Sequence, residues 1–183
     1  GLPAAGTGDI LSFLATNATN APVTATITVT MTYSNGGITC VSLPLSFTIT
    51  VNPTAQVNQP ANQLVCANTL TTPVVFSGPT TGGTITYSWT NTNTAIGLGA
   101  SGTGNIPAFT ATNATLAPIT GTIKVTPSIT NNGVTCTGPS KTFTITVNPV
   151  PTVAPVANQV YCKGVSTALI AFEGTSGPQP GVL

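Results

Sequence analysis

Four cysteines, Cys40, Cys66, Cys136 and Cys162, are the side chains of this sequence best suited to covalent or metal chemistry. The charged set beside them is small: Lys124, Lys141, Lys163, Asp9 and Glu173, with no Arg and no His. Catalysis needs groups that move protons, attack, or hold charge in the transition state. Here the one Asp and the one Glu lie far apart in sequence, and the plentiful Ser and Thr have no candidate base beside them. The stretch "GLGASGTGN" (97–105) has the glycines of a phosphate loop but neither its Lys nor a following helix, so it reads as a loop between strands. No catalytic residue, cofactor or metal is expected.

Zinc would need all four cysteines together, and no C-x-x-C spacing is present. Disulfides are the better use of them, which points outside the cytoplasm. Four cysteines allow three pairings. Cys136 follows a hairpin turn, after which about 12 residues of extended chain carry the backbone roughly 40 Å to Pro149. Pairing across a junction, Cys40 to Cys66 or Cys136 to Cys162, would need the chain to reach back that far. A Cys66–Cys136 bond is therefore preferred, with Cys40 and Cys162 left as half-pairs completed outside the window or between chains.

The elements that must position these residues come from a repeat. "FTITVNP" stands at 47–53 and again at 143–149, and laying residue 1 on residue 97 without a gap gives 31 identities over 53 positions. The same 96-residue offset carries "ANQLVC" onto "ANQVYC" and "FSG" onto "FEG". Self-similarity at a fixed period defines the organisation before any motif does. It predicts the C-terminal part of one repeat at 1–53, a complete repeat at 54–149, and the N-terminal part of a following repeat at 150–183. Between them the two partial repeats lack only the counterparts of "SWTNTNTAI" (88–96), so the tail of one chain almost completes the head of another.

Within the complete repeat, apolar residues alternate at period two: Val74 and Phe76; Ile85, Tyr87 and Trp89; Ile119, Ile123 and Val125; Phe143, Ile145 and Val147. The chain holds 38 threonines, whose β-branched side chains suit a pleated, half-buried surface. "TNNGVT" and "SNGGIT" place Asn-Gly chemistry between alternating runs, a hairpin signal. Helix-period patterns are missing. The expectation is an all-β fold of antiparallel β-sandwiches of immunoglobulin-like type, with Phe76, Tyr87, Trp89, Phe109, Ile123, Val125, Phe143, Ile145 and Val147 in the core. A net charge of +1 leaves no basic patch for nucleic acid. No apolar run approaches the roughly 20 residues of a membrane-spanning helix, so membrane insertion is not expected. Asn17-Ala-Thr and Asn113-Ala-Thr match the N-glycosylation pattern, which chance supplies freely in a chain this rich in Asn and Thr.

In their order, "ANQLVCAN", "VVFSG", "YSWTNTNTAIGLGASGTGNIPAFTATNAT", "GVTCTG" and "FTITVNP" resemble the PKD-like repeats of giant secreted surface proteins of Bacteroidota. The resemblance covers the complete repeat and both partial ones. It implies tandem immunoglobulin-like (PKD-like) β-sandwiches, export by type IX secretion, and roles in surface adhesion, gliding or extracellular filaments. It brings no catalytic residues. The linkers "TVNPTAQVNQP" and "TVNPVPTVAPV" hold no acid for calcium, so stiffness must come from proline and direct contact. The expected function is a non-catalytic rod or spacer of an extracellular, cell-surface fibre or adhesin. Its expected partners are neighbouring repeats of the same protein, including head-to-tail or donor-strand assembly. The competing expectation is a carbohydrate-binding or accessory module of a secreted polysaccharide-degrading enzyme, which requires an exposed aromatic row.

Overall fold

A computed structural model describes residues 1–175; the remainder of the segment expected at 150–183 lies outside the described residues. The fold is nearly all β. In chain order the strands are β1 (Val23–Val29), β2 (Thr32–Asn35), β3 (Ile38–Val41), β4 (Leu45–Val51), β5 (Gln63–Cys66), β6 (Thr84–Asn91), β7 (Ser101–Thr103), β8 (Ile119–Asn131), β9 (Val134–Thr137), β10 (Lys141–Asn148), β11 (Thr152–Val153) and β12 (Gly174–Thr175). A 3-10 turn spans Thr94–Ile96. The main sheet runs β5-β10-β8-β6-β7, with β9 also on β8. Its described pairs are antiparallel except β5 on β10, which is parallel. This departs from the wholly antiparallel expectation, and it matters for the cysteines.

Packing groups the chain into two compact units that cut across the repeat boundaries at 53 and 149. The first contains residues 1–58, 77–87 and 126–140, and the second, among the described residues, 59–76, 88–125 and 141–175. In the second, strict alternation along β8 and β10 buries Ile123, Val125, Phe143, Ile145 and Val147. The covering layer is Phe76, Ile106, Leu98, Ile96 and Ala111. That layer is not a regular sheet: it is tied by two isolated bridges, Leu70 to Thr110 and Val74 to Ile106. Pro73 and Pro107 interrupt its segments, and proline removes a ladder donor. Phe76 meets Phe143 edge-on, with ring centres 6.4 Å apart, a geometry favoured by the ring quadrupoles. Of the other expected core residues Trp89 is buried, whereas Tyr87 and Phe109 are half-buried. Burial raises the Tyr87 hydroxyl above its ordinary pKa.

In the first unit Pro53, Ala55, Val57, Pro127 and Ile129 are buried. Pro127 stands where β8 exchanges β10 for β9 as its partner, and its carbonyl accepts from the Gly138 N–H at 2.9 Å. The Asn-Gly turn that joins β8 to β9 forms with positive φ at Asn132 and Gly133. In the earlier copy of the same turn, Gly36 and Gly37 take that role.

The strand pairings recur along the chain. β1 pairs β4 from Val23–Val51 to Val29–Leu45, and β8 pairs β10 from Ile119–Val147 to Val125–Lys141. Adding 96 to either member of a pair in the first ladder gives the corresponding pair in the second. The β2–β3 and β8–β9 hairpins correspond in the same way, from Thr32–Val41 to Ser128–Thr137.

Gly102 lies against the face of Trp89: a Cβ there would come 2.3 Å from the indole Cζ2. Gly102→Ala should therefore overpack the site and cost about 1–3 kcal/mol. Denaturant unfolding followed by the fluorescence of this single tryptophan measures it directly, and an unchanged midpoint would mean that the ring is loosely held.

Candidate functional site

The four cysteines are free thiols: Cys40, Cys66 and Cys162 are exposed and Cys136 is half-buried. The preferred Cys66–Cys136 pair is not brought together. β5 runs parallel to β10, which sets Cys66 opposite Asn148, one residue beyond the Val147–Ile119 pair. Cys136 sits opposite Ile129. Ile119 and Ile129 are ten positions apart on one continuous strand, or roughly 33 Å at the rise of a β-strand. A disulfide tolerates a Cα separation of at most about 7 Å. The chain does run from Cys136 to the far pole, but a parallel β5 carries Cys66 to that same pole.

Among the described residues no group of three His, Cys, Asp or Glu side chains could hold a metal ion, and no helix is long and apolar enough to cross a membrane. Asp9, Glu173 and the three lysines are exposed. Several hydroxyls pair with one another between neighbouring segments. Thr24 meets Thr50 at 2.8 Å, Thr120 meets Thr146 at 2.9 Å, Ser34 meets Thr39 at 2.7 Å, and Thr130 meets Thr135 at 2.8 Å. Thr86–Ser128 and Thr126–Ser140 make two more such pairs. Cross-strand hydroxyl pairs stabilise a sheet by a few tenths of a kcal/mol each. They give part of the threonine content a structural use.

The two N-A-T triplets are also structural. The Asn113 amide donates to the carbonyls of Ala117 and Val147, and its Oδ1 accepts from the N–H and hydroxyl of Thr115. Asn17 does the same with Ala21, Val51 and Thr19. The side chain thus clamps the end of the last strand of each copy to the loop entering its partner, leaving the amide nitrogen committed. Spacing gave no hint of this, because the sequon and the clamp use the same three residues.

The first unit contains a joint where β4 ends at Val51 and the chain runs on through Asn52 and Pro53. Asn52 and Asn131 exchange amide contacts: Asn131 donates to Asn52 Oδ1 at 2.9 Å, and Asn52 reaches the carbonyls of Asn131 and Val134 at 3.4 Å. Gln56 donates to the Asn20 side chain, and the Thr81 N–H donates to the Asn20 carbonyl. Gly138 packs so closely on the linker that a Cβ would lie 1.7 Å from the Ala55 carbonyl oxygen. Buried Pro53 and Ala55 fix the backbone between these contacts. The joint is uncharged throughout.

Two apolar faces have no cover among the described residues. Phe47 is 44% exposed whereas its counterpart Phe143 is 2% exposed. Phe172 is 71% exposed against 6% for its counterpart Phe76. Ile10 and Val29 in the head, and Val153 and Ile170 in the tail, are likewise exposed where Ile106, Val125, Val57 and Val74 are buried. Tyr33 stands where the complete copy buries Ile129. Phe47, Phe172 and Tyr33 thus each lie 96 positions from a residue that is buried. No family model, no curated protein and no solved structure matches the chain.

Asn113→Ala would strand the carbonyls of Ala117 and Val147 at the end of β10. A loss of about 1–3 kcal/mol is expected, read as a lower unfolding midpoint. A variant as stable as the parent would show that water replaces the clamp at no cost.

Proposed function

We propose that this chain is a structural segment of a long extracellular fibre or adhesin, built from tandem immunoglobulin-like β-sandwiches of 96 residues and serving as a non-catalytic rod or spacer. One observation carries the reading: the β1–β4 and β2–β3 ladders recur, pair for pair, as β8–β10 and β8–β9. The chain repeats a scaffold and varies nothing that resembles a site. The joint supports the same reading, since prolines, reciprocal asparagine amides and a glycine pressed on the linker stiffen it without calcium or charge. Near-neutral composition removes repulsion between neighbouring copies. The extracellular placement, export by type IX secretion and kinship with PKD-like repeats of Bacteroidota rest on the resemblance of the sequence words.

The experiment is to lengthen the chain by inserting further copies of residues 54–149 after Pro149 and to measure maximum dimension by small-angle scattering. A rod gains roughly 40 Å per copy, the length of a 13-residue strand such as β8. A dimension that stops growing, or saturable binding of the chain to one polysaccharide in a panel, would overturn the reading.

A further inference from the structure

No two of the four cysteines pair within the chain, although both kinds recur at the 96-residue offset, Cys66 as Cys162 and Cys136 as Cys40. Their surroundings point to a different use. Cys66 ends β5, and the parallel register sets it opposite Asn148, with the Ala67 N–H donating to the Asn148 carbonyl at 2.9 Å. Directly opposed residues stand on the same face of a sheet. The Cys66 thiol and the Asn148 amide therefore point the same way.

What an asparagine at this position faces is visible 96 residues earlier. Asn52, in the same "FTITVNP", donates to the carbonyls of Asn131 and Val134 at 3.4 Å and accepts from the Asn131 amide at 2.9 Å. Asn131 and Val134 flank the turn from β8 to β9 in the following repeat, so the Asn52 amide is aimed at that hairpin. From there the linker follows β9: Asn52 touches Val134, and Ala55 packs on Gly138. Cys136 lies midway between those two contacts and is half-buried.

Taken through the 96-residue offset, Cys66 of a repeat lies one strand spacing, about 4.8 Å, from an asparagine whose amide touches the next repeat's hairpin. Its thiol is on the face that carries that amide. We propose that Cys66 of one repeat and Cys136 of the next form a disulfide across the joint. The two thiols give up two protons and two electrons to a disulfide oxidant such as glutathione disulfide, which leaves as two thiols while the S–S bond forms. No pair among Cys40, Cys66, Cys136 and Cys162 has this relation, and all four are free. The proposal rests on the repeat organisation of the rod reading and gives each joint a covalent tie. A rod whose joints are held only by Pro53 and the Asn52 and Gly138 contacts would lengthen equally well without it.

The test uses the full chain with one further copy of residues 54–149 inserted after Pro149, which adds a second Cys66 and a second Cys136 to the chain's four cysteines and makes six. After equilibration in a glutathione redox buffer, denaturation and maleimide labelling, intact mass should count four free thiols in the extended chain, against six after reduction. The original chain should keep all four of its thiols in the same buffer. Cys66→Ser in the first copy, or Cys136→Ser in the inserted copy, should each abolish the bond and leave five free thiols. Exchanged between the copies, Cys136→Ser in the first or Cys66→Ser in the inserted one should each keep the bond and leave three. Six free thiols in the extended chain, a bond in the original chain, or a bond lost with the exchanged substitutions would overturn the proposal. Growth in length with six free thiols would sink the disulfide and leave the rod reading standing; a bond without growth in length would do the reverse.

Discussion

The structure depends on covering one apolar surface. Strict alternation along β8 and β10 puts Ile123, Val125, Phe143, Ile145 and Val147 on a single face. Burying side chains of this kind is worth about 1.5–3 kcal/mol each. The strands cannot bury that face against each other, because it lies on one side of the sheet they share. The cover is supplied by an irregular segment that holds Phe76 and by the loop that holds Ile96, Leu98 and Ile106. In residues 23–51 strands pair in the same register with no such cover among the described residues, and Phe47 and Val29 are exposed. Pairing is thus specified locally by turn chemistry and strand pattern, while burial needs the distant segment.

Polar groups follow the same division. Hydroxyl pairs such as Thr120–Thr146 and the asparagine clamps at Asn17 and Asn113 use neighbours on adjacent strands, so they form in both copies. Asn91 behaves differently. It is buried in the loop that begins at the end of β6, where its amide donates to Asn93, Leu98 and Gly99 carbonyls and its Oδ1 accepts from the Asn93 N–H. A buried amide with its hydrogen bonds satisfied holds an irregular loop in one shape. That loop delivers Ile96 and Leu98 to the covered face.

Much of this was legible in the sequence, for physical reasons that can be stated. The strand residues at 119–125 and 143–147 follow from period-two apolar residues, and the hairpin from β8 to β9 follows from Asn132-Gly133, which tolerates positive φ. Alternation at Val74 and Phe76 predicts a strand in the covering layer, but prolines reduce it to bridges. Ile129 was not singled out because it follows Pro127, where the pattern looked finished although β8 continues with a new partner. The pairing of Cys66 with Cys136 failed because strand direction is a tertiary property: nothing in "NQLVC" says whether it runs with or against β10. Asn113 was hidden behind a glycosylation pattern of the same three letters.

The most direct measurement is amide hydrogen exchange on the dilute, monomeric chain, comparing equivalent amides of the covered and uncovered copies. If cover decides stability, amides of β8 and β10 should be protected at least about a hundredfold more than their counterparts in β1 and β4. Equal protection at, for instance, Ile27 and Ile123 would contradict it, because the strands would then be stable without the segment that buries them.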